Sequence, residues 1–192
     1  MSGTLKESFL ESYIEKQYRG PVRDDGIRDE VDALVPGWAA ELPPRLVAAL
    51  ELSKRLSRVG GLFEQAVRAE LSELGLTYAE FDVLAALNRV GPPYRLKPSE
   101  LSRSLFLTSG GISNVLQRLE AGGHVERGAS PGDGRSRWVG LTDGGRELVA
   151  KALGASGRAH LEVLTGVSDE AVRDAADALR EVLAIVGRRP VR

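Results

Sequence analysis

Apolar residues recur every three or four positions along most of the chain, a period that predicts helices rather than strands. The longest run opens at Pro43-Pro44 and carries Leu46, Leu50, Leu56, Val59, Phe63, Val67, Leu71 and Leu74, with Gly60-Gly61 a weak point and Gly75 its end. Its length exceeds what one small core requires. Thr77-Tyr78-Ala79-Glu80 then has the form of a capping box, leading into Phe81, Leu84, Ala85 and Leu87. Gly91-Pro92-Pro93 breaks that helix, and Tyr94-Arg95-Leu96 predicts a very short strand. Pro98 suits the first turn of the next helix, although Lys97 is a poor N-cap.

From Leu101 to Thr142 the pattern changes period repeatedly. Leu101 and Leu105 mark a short helix, and Ile112, Leu116 and Leu119 mark one face of a second. Gly122-Gly123 stops it, and a strand, a Gly-rich tip and another strand follow. That order predicts a winged helix-turn-helix with a small β-hairpin wing. Thr142 caps a further helix holding Leu148, Val149, Leu153, Leu161, Val163 and Leu164, loosened by Gly154 and Gly157. Ser168 caps the last, whose apolar face comprises Val172, Ala175, Ala176, Leu179, Val182, Leu183 and Val186 before Gly187 ends it. Such a face is too wide for a helix packed against one neighbour. With the long helix from Pro44, it predicts helices that pack across a subunit interface.

Upstream, Thr4-Leu5-Lys6-Glu7 is another capping-box pattern, and Leu5, Phe9, Tyr13 and Tyr18 line one side of a short helix that Gly20-Pro21 ends. It reads equally as an arm that docks on a partner and as a packing tail. Ile27, Val31, Leu34 and Val35 again fall at helical spacing, and Pro36-Gly37 is expected to interrupt or kink that helix just before Trp38.

Composition bounds the chemistry more than the fold. The 192 residues, 42% hydrophobic and 28% charged, are those of an ordinary globular chain. No apolar run approaches the roughly 18 residues of a membrane span, and the first twenty residues lack a secretion-signal pattern, so a cytoplasmic protein is expected. With no cysteine, disulfides, thiolate catalysis and zinc fingers are excluded together. The formal charge of −1 hides an uneven distribution: residues 95–137 hold seven Lys and Arg against four Asp and Glu. The positive excess falls on the winged segment.

The second helix of that segment shows Ser109, Gly110, Ser113, Asn114, Gln117 and Arg118 opposite its apolar face. Backbone N–H groups at its start favour a phosphate, and Asn114 and Gln117 each offer paired donor and acceptor atoms to adenine. Gly110 and Gly111 cost about 1 kcal/mol each in a helix relative to Ala. Close approach to DNA and close packing with the preceding helix are both candidate offsets. At the hairpin tip, Arg135 and Arg137 stand beside Asp133. Arg135 suits the minor groove and Asp133 suits holding its guanidinium; a solvated hairpin with an incidental ion pair is the even alternative.

Asp133-Gly134-Arg135 followed by Leu141-Thr142 matches the DxRxxxxxLT wing signature of MarR-family transcription regulators, and Leu119-Glu120, Gly123 and Arg127 match the pattern around it. The chain resembles that family over roughly residues 44–187. The resemblance implies a mainly α, triangular homodimer built from the N- and C-terminal helices, binding a palindromic operator in double-stranded DNA and usually repressing. It implies an N-terminal extension over 1–43 and a MarR-type domain over 44–192, with a DNA-binding lobe at about 76–142 and dimerisation helices at 44–74 and 142–187. It carries base reading to Asn114 with Ser109, Ser113 and Gln117, phosphate proximity to Arg118 and Ser102, and minor-groove reading to Arg135.

A narrower match, at Gly75-Leu76-Thr77, Glu80-Phe81-Asp82-Val83-Leu84, Gly91-Pro92-Pro93-Tyr94-Arg95-Leu96 and Ser113-Asn114, resembles the PecS-like branch with its urate-responsive members. By that resemblance Trp38, Asp82 and Arg127 occupy three positions of a ligand-responsive cluster. The fourth falls on Val115, which cannot pair with an anion, so urate itself is disfavoured. From the residues alone, a buried Asp and Arg near a Trp suit a flat anionic or phenolic ligand, and a structural ion pair beneath a core Trp is the equal alternative. His160 is expected to face the pocket between helices, and His124 to pack at the strand start. Two His without a third ligand at useful spacing give no metal site, and no cofactor is implied.

The leading expectation is a dimeric, ligand-responsive DNA-binding regulator. The alternative is a winged-helix protein-interaction module without DNA binding. An enzyme is not expected, since no nucleophile with an adjacent base and no phosphate loop is present.

Overall fold

Pro36 stands in the first turn of the first described helix rather than kinking it. The computed structural model describes residues 26–105, 109–130 and 133–187, with the side chains of Ser104, Ser109, 129–130 and 133–137 outside that description. The expected helix through Leu5 and Tyr18 also lies outside it. Val31 and Leu34 sit in turns, with the Leu34 N–H donating to the Val31 carbonyl at 2.9 Å, and α1 runs from Val35 to Glu41. Proline belongs in a first helical turn because its missing N–H has no intrahelical partner there. Trp38 therefore stands on a regular helix.

The chain divides into two compact units between Leu62 and Phe63, a boundary inside helix α2 (Pro44–Glu73). In the first unit Arg55 of α2 donates to Asp29 at 2.7 Å, Asp32 at 2.9 Å and Glu51 at 2.8 Å, tying the turns to the helix. The hydrogen bond from Arg55 holds the Asp29 carboxyl below its ordinary value. Gly60 and Gly61 do not break α2, whose 30 residues are continuous. Gly75, at φ +70°, ends the run, and the Leu76 N–H returns to the Leu71 carbonyl at 3.0 Å.

In the second unit α3 (Tyr78–Arg89) begins with the expected capping box. The Glu80 N–H donates to Thr77 Oγ1 at 3.3 Å, and Glu80 Oε2 accepts the Thr77 N–H at 2.8 Å. After β1 (Arg95–Leu96), helix α4 (Pro98–Leu105) starts with Glu100 Oε2 accepting the Lys97 N–H at 2.7 Å, which supplies the cap that Lys97 lacks. Helix α5 (Ser109–Ala121) ends at Gly123, φ +71°, with the His124 N–H donating to the Leu119 carbonyl at 2.9 Å.

Strands β2 (Val125–Ser130) and β3 (Asp133–Leu141) form the wing, and β1 adds to the other edge of β3 in the antiparallel order β1-β3-β2. Pairing runs regularly from Val125↔Leu141 to Ala129↔Arg137, then jumps to Ser130↔Asp133, so residues 134–136 fall in the irregularity. Thr142 caps α6 (Asp143–Val163), accepting the Gly145 N–H at 3.0 Å while its hydroxyl donates to the Gly123 carbonyl at 2.7 Å. A Cβ on Gly145 would lie 1.9 Å from the His124 carbonyl oxygen, so α6 can approach the base of the wing this closely only with glycine there. Gly154 and Gly157 leave α6 continuous.

The core of this unit gathers Val67 and Leu71 from α2, Leu84 and Leu87 from α3, Leu101 from α4, Leu116 and Leu119 from α5, Val139 from β3 and Val149 from α6. Burying each such side chain contributes roughly 1.5–3 kcal/mol. Val115, whose aliphatic side chain excludes an anion partner, is part of the same core. The last helix, α7 (Asp169–Val186), is capped by Ser168 as expected and has no buried residue. Among the described residues, no helix is long and apolar enough to cross a membrane.

Candidate nucleic-acid interface

Helix α5 divides cleanly by face. Ile112, Val115, Leu116 and Leu119 are buried, and Ser113, Asn114, Gln117 and Arg118 are exposed. Burial of the apolar positions fixes the rotation of the helix, so short polar and cationic side chains are presented together. Ser102, on α4, is partly exposed. Ser109 and Gly110 start α5 by their backbone, and Asp133 and Arg135 lie on β3 beside the irregular register, with Arg137 opposite Ala129. The side chains of Ser109, Asp133, Arg135 and Arg137 lie outside the described residues.

Arg118 carries a contact that spacing did not reveal. Its Nε lies 3.1 Å from Glu80 Oε1, whose other oxygen takes the Thr77 N–H and, at 2.7 Å, the Thr77 hydroxyl. Glu80 is 7% exposed, one of two buried polar side chains among the described residues. A carboxylate this far from water needs its partners, and here they are the helix cap and the recognition-helix cation. The capping-box motif identifies Glu80 in the sequence, but not its second oxygen's partner.

Of the expected effector residues, Asp82, Arg127 and His160 belong to the second unit, on α3, β2 and α6. Arg127 shares the core-facing side of β2 with Val125, and its Nε pairs with Glu120 Oε2 at 3.0 Å, joining the wing to the last turn of α5. Asp82 is half-buried on α3, and burial raises its pKa above the ordinary 3.8, opposed by the positive charge of Arg89. Burial likewise raises the Tyr78 phenol, helped by the negative charge of Asp82. Asp82 is thus set in the field of Arg89, and its own charge acts on Tyr78. His160 stacks on Phe63 with ring centroids 5.2 Å apart, and its Nδ1 lies 2.6 Å from the Ser156 carbonyl. Trp38 belongs to the first unit, on α1. His124 packs at the start of β2 as expected, with a buried Nδ1 that has no hydrogen-bond partner among the described residues.

The outer face of the wing holds a further arrangement. Trp138 lies across its cross-strand partner Gly128, and the Arg95 guanidinium sits 3.7 Å from the Trp138 ring centroid. Arg95 and Glu126 both pair in register with Gly140 and meet over it at 3.3 Å.

Comparison with known proteins agrees with this geometry. Residues 74–136, from the end of α2 through the wing tip, match the MarR family model. The chain is 33% identical over 141 residues to the HTH-type transcriptional regulator PecS of Dickeya dadantii, covering 73% of this chain and 85% of that one. An HTH-type transcriptional repressor of Mycobacterium bovis is 41% identical over 97 residues, covering 50% of this chain and 68% of that one. Among solved structures, a MarR variant from E. coli complexed with operator DNA superposes with a TM-score of 0.64 at 27% identity, covering 71% of this chain and 96% of that one.

Proposed function

Because the chain belongs to the MarR family of transcription regulators, we propose that it is a homodimeric, ligand-responsive repressor that binds a palindromic operator. The observation that carries this reading is α5, whose buried Ile112, Leu116 and Leu119 leave Ser113, Asn114, Gln117 and Arg118 exposed on a helix that ends in a wing. Asn114 and Gln117 read base edges, with Ser113 beside them; Ser109 and Gly110 present the helix start to phosphate, and Ser102 and Arg118 lie near the backbone. Arg135 enters the minor groove, steadied by Asp133, with Arg137 behind it. The solved complex of the E. coli MarR variant with operator DNA supports the partner class.

Dimerisation rests on α7. A helix with Val172, Ala175, Ala176, Leu179, Val182, Leu183 and Val186 along it, none of them buried, is unstable in water unless a second surface covers it. The same helix of a second copy is the occupant that a two-fold operator requires. The effector is a small planar anion or phenol that engages Asp82, with Arg127 and His160 as the other candidate contacts in the second unit. Val115 within the core argues against urate. Charge on Asp82 is already disfavoured by burial, so a ligand that alters it alters α3 and, through Glu80 and Arg118, the recognition helix.

The test is binding to DNA from the chain's own upstream region across a salt series, since phosphate contacts impose a steep, linear fall of log affinity with log salt. Absence of binding at low salt would favour a protein-interaction module. A thermal-shift screen of planar anions and phenols, repeated with Asp82→Ala and Arg127→Ala, tests the effector site; a hit insensitive to both would move it elsewhere.

A further inference from the structure

The outer face of the wing is built around one aromatic ring. In the register of the sheet, Gly128 of β2 stands opposite Trp138 of β3, while Glu126 of β2 and Arg95 of β1 flank Gly140. A Cβ on Gly128 would lie 2.2 Å from Trp138 Cζ2, and one on Gly140 would lie 2.7 Å from Arg95 Cγ and 3.2 Å from Trp138 Cζ3. Both glycines are therefore spaces that the ring and the arginine occupy, and neither φ is in the left-handed region. Conformational freedom does not explain them. Glycine weakens a strand, and an aromatic side chain laid over it restores the lost packing.

Arg95 closes the arrangement. Its guanidinium sits 3.7 Å from the ring centroid, within cation–π range, and its Nη2 lies 3.3 Å from Glu126 Oε1. A planar guanidinium satisfies the ring and the carboxylate at once, which a lysine ammonium cannot do with the same geometry. All three strands thus contribute to one stack, and the only long strand among them, β3, continues from Trp138 toward the tip that bears Arg135 and Arg137.

We propose that the Arg95–Trp138 stack, seated on Gly128 and Gly140, is a positioning device that sets the reach of the wing toward DNA. Arg95 and Trp138 are positioning residues on this reading, and Arg95 is not a phosphate contact. The proposal rests on the DNA-binding function proposed above. It goes beyond that reading because none of these four residues belongs to the reading surface on α5 or to the tip.

The experiment measures operator affinity across a salt series for Arg95→Ala, Arg95→Lys and Gly128→Ala, with thermal melting to confirm folding. Gly128→Ala displaces the ring without changing charge, and Arg95→Lys keeps the charge without the planar stack. All three are expected to lose affinity by a similar factor, roughly three- to tenfold, with the slope of log affinity on log salt unchanged. Recovery of parental affinity in Arg95→Lys, or a slope reduced by about one per subunit in Arg95→Ala, would make Arg95 a phosphate contact and overturn the proposal. Parental affinity in Arg95→Ala, a surface variant that leaves the core intact, would overturn it as well. Failure of the parent itself to bind would instead reject the DNA-binding reading on which the proposal stands.

Discussion

Glu80 and Asp82 are separated by one residue on α3 and have opposite settings. Glu80 is buried and fully engaged, by the Thr77 N–H and hydroxyl on one oxygen and Arg118 on the other. Asp82 is half-buried, and desolvation is the largest influence on it. Its folded pKa is raised, so the folded state holds the proton over a range where the unfolded chain has released it. Stability from this group therefore falls as pH rises from the ordinary carboxylate value of 3.8 through the raised folded value. Asp82→Asn should melt at or above the parent's temperature at neutral pH, and the difference should shrink below the ordinary value. Thermal denaturation at both pH values checks this, and a variant less stable than the parent at neutral pH would show that the carboxylate makes a favourable contact instead. The identity of Asp82 as a notable residue was legible only through resemblance. Its setting was not, because burial and the charge of Arg89 come from packing that a motif does not encode.

Elements were the most legible level. Thr77 with Glu80, Thr142 and Ser168 mark helix starts, and Gly75 and Gly123 mark ends, because caps satisfy the same orphan backbone groups in any fold. Thr77→Ala should cost about 1 kcal/mol of stability, read from chemical denaturation, since it removes the acceptor for the Glu80 N–H. A loss no larger than that of a surface alanine substitution would mean that Glu80 caps α3 unaided. The wing was legible as a hairpin, and so was the short β1 strand. What spacing missed were contacts between elements: Arg118 with Glu80, Arg127 with Glu120, and Trp138 between Gly128 and Arg95. Pro36 differs from expectation for a local reason: a proline within an apolar period reads as a break or kink unless the helix start is placed next to it.

For the whole molecule, the decisive feature is the uncovered last helix. Leu183 and Ile185 are 64% and 63% exposed on α7, Val186 is 44% exposed, and Val172, Leu179 and Val182 are partly exposed. If the proposed dimer forms through α7, Leu183→Glu should convert it to monomer and reduce operator affinity by far more than loss of any single base contact, because a two-fold operator is held at both half-sites at once. Analytical ultracentrifugation of the parent and variant measures this; a parent that sediments as a monomer at micromolar concentration would remove α7 as the subunit interface. Half-sites should lie about one helical turn apart, so that two copies of α5 meet successive major grooves on one face of the duplex.

Sequence reading by α5 is the property on which the proposed function depends. The most direct measurement is the base-preference profile of the parent and of Asn114→Ala over a randomised operator. Asn114→Ala is expected to relax preference at one position in each half-site, by about 1–3 kcal/mol there, with the remaining positions unchanged. Identical profiles for the two proteins would contradict it.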